Sequence, residues 1–210
     1  MDKIVAKELL KINAVFLRPN DPFTWASGIK SPIYCDNRLT LSFPETRSII
    51  ENALASKVKE VFPNCEYIMG TATAGIAHAS LVADILSLPM GYVRGSEKAH
   101  GRNNVIEGLI IPNKKVVVIE DLISTGGSCV KVVNILREAG FDVLGVVSIF
   151  SYNLKKGFKV FKDNNTEYHA VSNYDTLIEV ALENNYIKDN ELIKLQHWKN
   201  DPSDISWMNK

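Results

Sequence analysis

The spacing of apolar residues changes along the chain. Val5, Leu9, Ile12 and Phe16 recur at helical intervals and predict an amphipathic opening helix. Residues 17–38 are rich in Pro, Gly and Ser, with short β-like pieces around residues 23–25 and 32–35. Residues 42–45 (SFPE) read as a capping box with an early proline, starting a helix that runs towards Val61. From there apolar strands alternate with helical stretches. Residues 67–70 form a short strand, 75–86 a helix and 90–93 a second strand. Residues 115–120 (KVVVIE) form a third, and their β-branched run suits a strand buried on both faces. Val132, Ile135, Leu136 and Ala139 mark a helix that Gly140 stops. Residues 142–150 and 167–171 supply two more strands, and Asp175 to Trp198 reads as two helices before a polar tail. Strands separated by helices imply βαβ units and a mostly parallel sheet, because parallel neighbours need crossover connections.

Residues 94–107 (RGSEKAHGRNNVIE) break this rhythm. They carry Arg94, Lys98, His100 and Arg102, two glycines, and almost no apolar side chain before Val105. A polar loop of this length inside an α/β domain is usually functional.

Composition narrows the class. The 210 residues suit one domain with a real core, and 46% hydrophobic with 23% charged residues is ordinary for a globular chain. Lys+Arg and Asp+Glu both number 24. This balance lacks the basic excess of a nucleic-acid-coating protein. Cys35, Cys65 and Cys129 are scattered, without a CxxC or Cys/His cluster. Neither a disulfide framework nor a zinc site is expected, and a reducing cytoplasm fits. No apolar run approaches the roughly 20 residues that cross a bilayer, and the charged, helical start does not read as a signal peptide.

The candidate chemistry concentrates in residues 116–128 (VVVIEDLISTGGS). A buried strand runs into two adjacent carboxylates, Glu120 and Asp121, and then a small-residue loop leads into a helix. Gly126 and Gly127 let the backbone approach a ligand, and a helix N-terminus offers unpaired N–H groups to an anion. Ser124, Thr125 and Ser128 add hydroxyls. The loop suits a phosphate, and the paired acids suit vicinal hydroxyls, so together they describe a ribose 5-phosphate. The carboxyl end of a parallel strand is also where open α/β sheets bind ligands. The spacing is neither the Walker loop nor GxGxxG.

This string closely resembles the phosphoribosyl-pyrophosphate (PRPP) signature of type I phosphoribosyltransferases. The resemblance implies that family's α/β fold: a mostly parallel twisted sheet flanked by helices, with a small N-terminal hood over the site. It further implies one domain over residues 1–210, with the hood at about 1–40, the PRPP-binding core at about 64–172 and C-terminal helices at 174–200. Glu120, Asp121, Leu122, Ile123, Ser124, Thr125, Gly126, Gly127 and Ser128 become PRPP-binding positions. Residues 94–101 (RGSEKAHG) resemble the catalytic loop of orotate phosphoribosyltransferases. That match implies that Arg94, Lys98 and His100 bind PRPP, with Lys98, His100 and Asp121 catalytic. Some members carry a second Lys where Gly95 stands. Residues 23–38 (FTWASGIKSPIYCDNR) look like the family segment that covers the base, implying orotate contacts from Ser124, Lys30 and Tyr34. Residues 70–76 (GTATAGI) form a second small-residue turn, whose backbone suits the diphosphate. Some relatives have a Tyr-Lys pair where Thr73 and Ala74 stand.

The resemblance implies Mg²⁺ carried mainly on PRPP, with no metal site built from protein side chains. The partners it implies are PRPP, orotate and a second copy of the chain, with the 94–107 loop shared across a homodimer interface. Neither nucleic acid nor membrane is expected. Two rival readings are a phosphoribosyltransferase for another base and a non-catalytic PRPP-sensing regulator. The charge balance opposes the second. Residues 151–210 carry no readable motif, and His78, His169 and His197 are expected to be structural or surface residues.

Overall fold

The computed structural model describes residues 1–25, 28–95 and 105–210. The N-terminal part contains α1 (Asp2–Lys11), β1 (Val15–Leu17), β2 (Phe23–Thr24), β3 (Lys30–Ser31), β4 (Ile33–Cys35), a 3-10 helix (Asn37–Ser42) and α2 (Pro44–Val61). The alternating part follows as β5 (Tyr67–Thr71), α3 (Ala74–Leu86), β6 (Met90–Val93), β7 (Ile106–Glu107), β8 (Lys115–Ile123), α4 (Gly127–Glu138), β9 (Asp142–Ser151), α5 (Lys155–Asp163) and β10 (Tyr168–Asn173). The chain ends in α6 (Tyr174–Glu183), α7 (Asp189–Asn200) and a 3-10 turn (Ser206–Asn209).

Six strands make the central sheet in the order β10-β9-β8-β5-β6-β7. All neighbours are parallel except β7, which runs antiparallel to β6. The continuous apolar runs divide with a period of two, as strand geometry requires. Ile68, Val117, Ile119, Val147 and Ile149 face a core completed by α1, α2, α3, α6 and α7. Tyr67, Met69, Val116, Val118 and Val146 face a second core under α4 and Phe161 of α5. The crossovers after β5 and β8 therefore lie on opposite faces and lead to opposite edges. A crevice opens at the carboxyl ends of β5 and β8, the switch point where such sheets bind ligands.

Several local expectations change. The opening helix stops at Lys11, and Asn13 takes a positive φ of 55°. Phe16 therefore enters β1, pairs with Tyr34 and is 38% exposed instead of continuing the helical stripe. Ser42 does not cap α2. It closes the preceding 3-10 helix, and Phe43 takes the N-cap position without a side-chain bond. Pro44 does open α2, where its missing N–H costs nothing. β8 continues three residues past Glu120, because Leu122 and Ile123 keep pairing with Phe150 and Ser151. Helix α5 was not legible in the sequence. The tail is not merely polar, since Trp207 is buried.

Candidate active site

Two cavities meet at the carboxyl ends of the central strands. The larger, about 480 Å³, is bounded by Thr71–Ala74 after β5, Arg94 and Gly95 after β6, Glu120–Leu122 on β8, and Ser128 and Lys131 of α4. The smaller, about 200 Å³, is lined by Trp25, Tyr34, Cys35, Leu122, Ser124 and Tyr152. Leu122 lines both.

The carboxylate pair lines the larger cavity. Glu120 is buried, and one of its oxygens accepts the Asp121 N–H at 2.9 Å. Burial pushes its carboxyl up to about 8, and the neighbouring Asp121 carboxylate adds to the rise. Glu120 therefore keeps its proton to higher pH than an ordinary carboxyl. The Asp121 carbonyl accepts from Asn37 Nδ2 at 2.7 Å. That bond ties the acid-bearing stretch of β8 to the N-terminal segment.

The turn after the acids is built to receive an anion. Gly126 has φ +78°, and an added Cβ would lie 2.7 Å from the Phe161 ring. Both the backbone and the packing thus require glycine. Helix α4 begins at Gly127 with no side chain capping it and no acid in its first turn. Its leading N–H groups are free to donate. The turn after β5 is similar but has no charged group. Gly75 sits so close that an added Cβ would be 2.5 Å from Thr71 Oγ1 and 2.6 Å from the Ile119 carbonyl. No side-chain hydrogen bond caps α3 either. Arg94 supplies a cation across the cleft. Its Nη1 lies 3.7 Å from Glu107 Oε1 and makes no hydrogen bond among the described residues.

The smaller cavity has an aromatic wall. Trp25 and Tyr152 lie 5.6 Å apart, as do Tyr34 and Phe23. The Tyr152 ring is buried, and its hydroxyl has no hydrogen-bond partner among the described residues. Burial raises its phenol well above the ordinary value, so it remains a neutral donor.

The expected site residues separate into groups. Arg94, Glu120, Asp121, Leu122 and Ser128 converge on the larger cavity. Tyr34, Leu122 and Ser124 converge on the smaller one. Thr125 and Gly126 lie in the turn between β8 and α4, and Gly127 opens α4. The Ile123 side chain points into the core, and its carbonyl accepts from Tyr152 N–H. The Lys30 ammonium donates to Thr24 Oγ1 at 2.7 Å and is not among the residues lining the smaller cavity. Lys98 and His100 lie outside the described residues, as do Ala26 and Ser27. Sequence reasoning missed Lys131 and Tyr152 as lining residues, and it read Trp25 only as part of the covering segment. Tyr152 follows the fourth predicted strand by two residues, and that position was its only signal. His78 is buried against Glu51 at 2.5 Å and serves the α2–α3 packing.

The phosphoribosyl transferase domain family matches residues 43–180. An orotate phosphoribosyltransferase of Bacillus subtilis (strain 168) is 57% identical over 210 residues, covering 100% of this chain and 97% of its own. The solved orotate phosphoribosyltransferase of Aeropyrum pernix superposes with a TM-score of 0.76 at 27% identity, covering 88% of this chain and 99% of its own. The Leishmania donovani UMP synthase superposes with a TM-score of 0.79 at 27% identity over 94% of this chain, which spans 42% of that longer protein. The chain belongs to the orotate phosphoribosyltransferase family.

Proposed function

We propose that this chain transfers the 5-phosphoribosyl group of PRPP to N1 of orotate, giving orotidine 5′-monophosphate and diphosphate. This reaction makes the first nucleotide of pyrimidine synthesis. The observation that carries the reading is the junction at Leu122. Leu122 joins a polar cleft, lined by the carboxylate pair and by Ser128 of the uncapped helix α4, to a small aromatic cavity. The Arg94 side of the cleft suits a diphosphate, the carboxylates and the helix N-terminus suit a ribose 5-phosphate, and the aromatic cavity suits a planar base.

The C1–O bond to diphosphate breaks through an oxocarbenium-like transition state. Positive charge gathers on the ribose as negative charge gathers on the leaving group. In this reading Glu120 and Asp121 accept the ribose hydroxyls, and Asp121 also favours the developing cation. The N–H groups of the 124–128 turn and the hydroxyls of Ser124, Thr125 and Ser128 hold the 5-phosphate. Arg94, with Lys98 and His100 of the 94–107 segment, neutralises the departing diphosphate. Tyr34 and Ser124 bound the base. Deprotonated orotate N1 needs no activating base, so no covalent enzyme intermediate is expected.

Among the described residues no three His, Cys, Asp or Glu side chains cluster as a metal site. The donor set of Glu120 and Asp121, with the Glu120 carboxyl buried, fits a Mg²⁺ that arrives on PRPP oxygens. When bound there, Mg²⁺ supplies countercharge to the diphosphate. In the same reading the chain acts as a cytoplasmic homodimer, with the 94–107 segment of one subunit serving the other's site.

A base panel tests the reading. Diphosphate release is followed with PRPP, Mg²⁺ and, separately, orotate, uracil, adenine, hypoxanthine or xanthine. Release with orotate alone, abolished by chelation, is the expected result. Release with a purine instead would move the chain to another base specificity. Lys98→Ala should cut kcat far more than it weakens orotate binding, since its contact strengthens as the leaving group gains charge.

A further inference from the structure

The C-terminal helix reaches the base cavity. Strands β2 and β3 pair through two residues each, too little for a free-standing hairpin. Yet this hairpin carries Trp25, a wall of the smaller cavity. Helix α7 holds it near both ends. At one end, the Asn20 side-chain amide donates to Glu191 at 2.8 Å and accepts from Lys194 at 2.9 Å. At the other, Trp198 Nε1 donates to the Lys30 carbonyl at 3.0 Å.

Trp198 is fully buried, and its ring meets Trp25 edge-on, with centroids 5.7 Å apart and planes at 89°. It also lies 6.1 Å from Tyr152, the opposite aromatic of the cavity wall. Helix α7 is in turn fixed to the body by Tyr174, whose hydroxyl donates to the Leu195 carbonyl at 3.1 Å and whose ring lies 5.3 Å from Trp198. One side chain thus touches both rings of the cavity wall and bonds the backbone that carries one of them.

We propose that Trp198 is a positioning residue for the base. It fixes the Trp25 wall against Tyr152, so that α7 is part of the apparatus that selects and holds the pyrimidine. The inference rests on reading the smaller cavity as the base site. It gives a role to the C-terminal segment, where the sequence offered no motif.

The test compares Trp198→Phe with Trp207→Phe in the full chain. Trp207 is equally buried, its Nε1 has no hydrogen-bond partner, and it makes no ring contact with the hairpin among the described residues. KM for orotate and for PRPP are measured for each, with Tm alongside. Loss of one hydrogen bond predicts that Trp198→Phe raises KM for orotate about fivefold and leaves KM for PRPP within about twofold. Trp207→Phe should leave both constants within that margin, whatever it does to Tm. Trp25→Leu removes the supported ring from a half-buried site and should give the same split even if Trp198→Phe fails to fold.

An unchanged KM for orotate in Trp198→Phe or in Trp25→Leu overturns the proposal. So does a parallel rise in both constants, or the same split in Trp207→Phe. If the unaltered chain uses another base, the proposed function fails. The same split, measured for that base, still decides the role of Trp198.

Discussion

Two turns leave the adjacent strands β5 and β8, and both open a helix that no side chain caps. They differ in what they bring to the cleft. The turn after β8 follows two carboxylates and carries three hydroxyls and a left-handed glycine. The turn after β5 offers threonines and backbone only, and the charge facing it comes from Arg94 and Lys131 across the cleft. In the proposed function the first turn takes ribose and phosphate through its own side chains. The second provides a surface shaped by close packing, and its electrostatics come from elsewhere. One glycine change in each turn separates these modes.

Gly126→Ala should have the largest effect. Its φ of +78° and the 2.7 Å approach to Phe161 leave no relaxed place for a methyl group. Strain of about 1–3 kcal/mol predicts a Tm fall of roughly 2–10 °C. A displaced phosphate turn predicts a loss of about 100-fold in kcat/KM for PRPP, as two or three charge-assisted bonds weaken. Gly127→Ala is the contrast. An added Cβ there meets nothing within 4 Å, so Tm should hold while PRPP affinity falls. Equal Tm losses in the two variants would mean that the turn is fixed by its phosphate and not by the fold.

At the other turn the balance is finer. Gly75→Ala gains about 1 kcal/mol of helix propensity. It also forces a methyl group to within 2.6 Å of the Ile119 carbonyl, and overpacking of that kind costs about 1–3 kcal/mol. Tm should therefore move little. The first turn of α3 should shift off β8, raising KM for PRPP about tenfold while KM for orotate stays put. Parallel rises would mean that the two cavities are not separately built.

Legibility in the sequence follows the same division. The turn after β8 could be read because its chemistry lies in one contiguous string that a buried strand introduces. The turn after β5 could be read as backbone chemistry, but nothing local showed that Lys131 of α4 would face it. The sheet was legible because β-branched runs and glycine stops mark βαβ units directly. The N-terminal segment was less so. Phe16 fits a helical stripe by spacing, yet Asn13 turns the chain and the cross-strand partner Tyr34 claims Phe16. Lys30 was expected at the base because a carboxylate invites a cation. In the structure its ammonium donates to Thr24, its cross-strand neighbour, and the Lys30 carbonyl is held by α7. Tyr152 and Trp198 are long-range partners of Trp25. No spacing rule connects residues 25, 152 and 198.

The smallest expected effect is the most specific to the carboxylate-bearing turn. Burial holds the Glu120 carboxyl near 8 against an ordinary value of 4.5. A raised acid favours the fold while protonated. Its stabilising contribution is complete below about pH 4.5 and is lost as pH rises through about 8. The unliganded chain should therefore fall in Tm between pH 5 and 8.5, and Glu120→Gln should flatten that slope. Ribose hydroxyls donate to the ionised form, so PRPP binding at pH 7 should release a proton from the pair. Calorimetry in buffers of different ionisation enthalpy reads that release directly. It should approach one proton in the unaltered chain and fall towards zero in Glu120→Gln. Equal release by both proteins would place the proton elsewhere, and the carboxylate pair would then act on the ribose as two ordinary ionised acids.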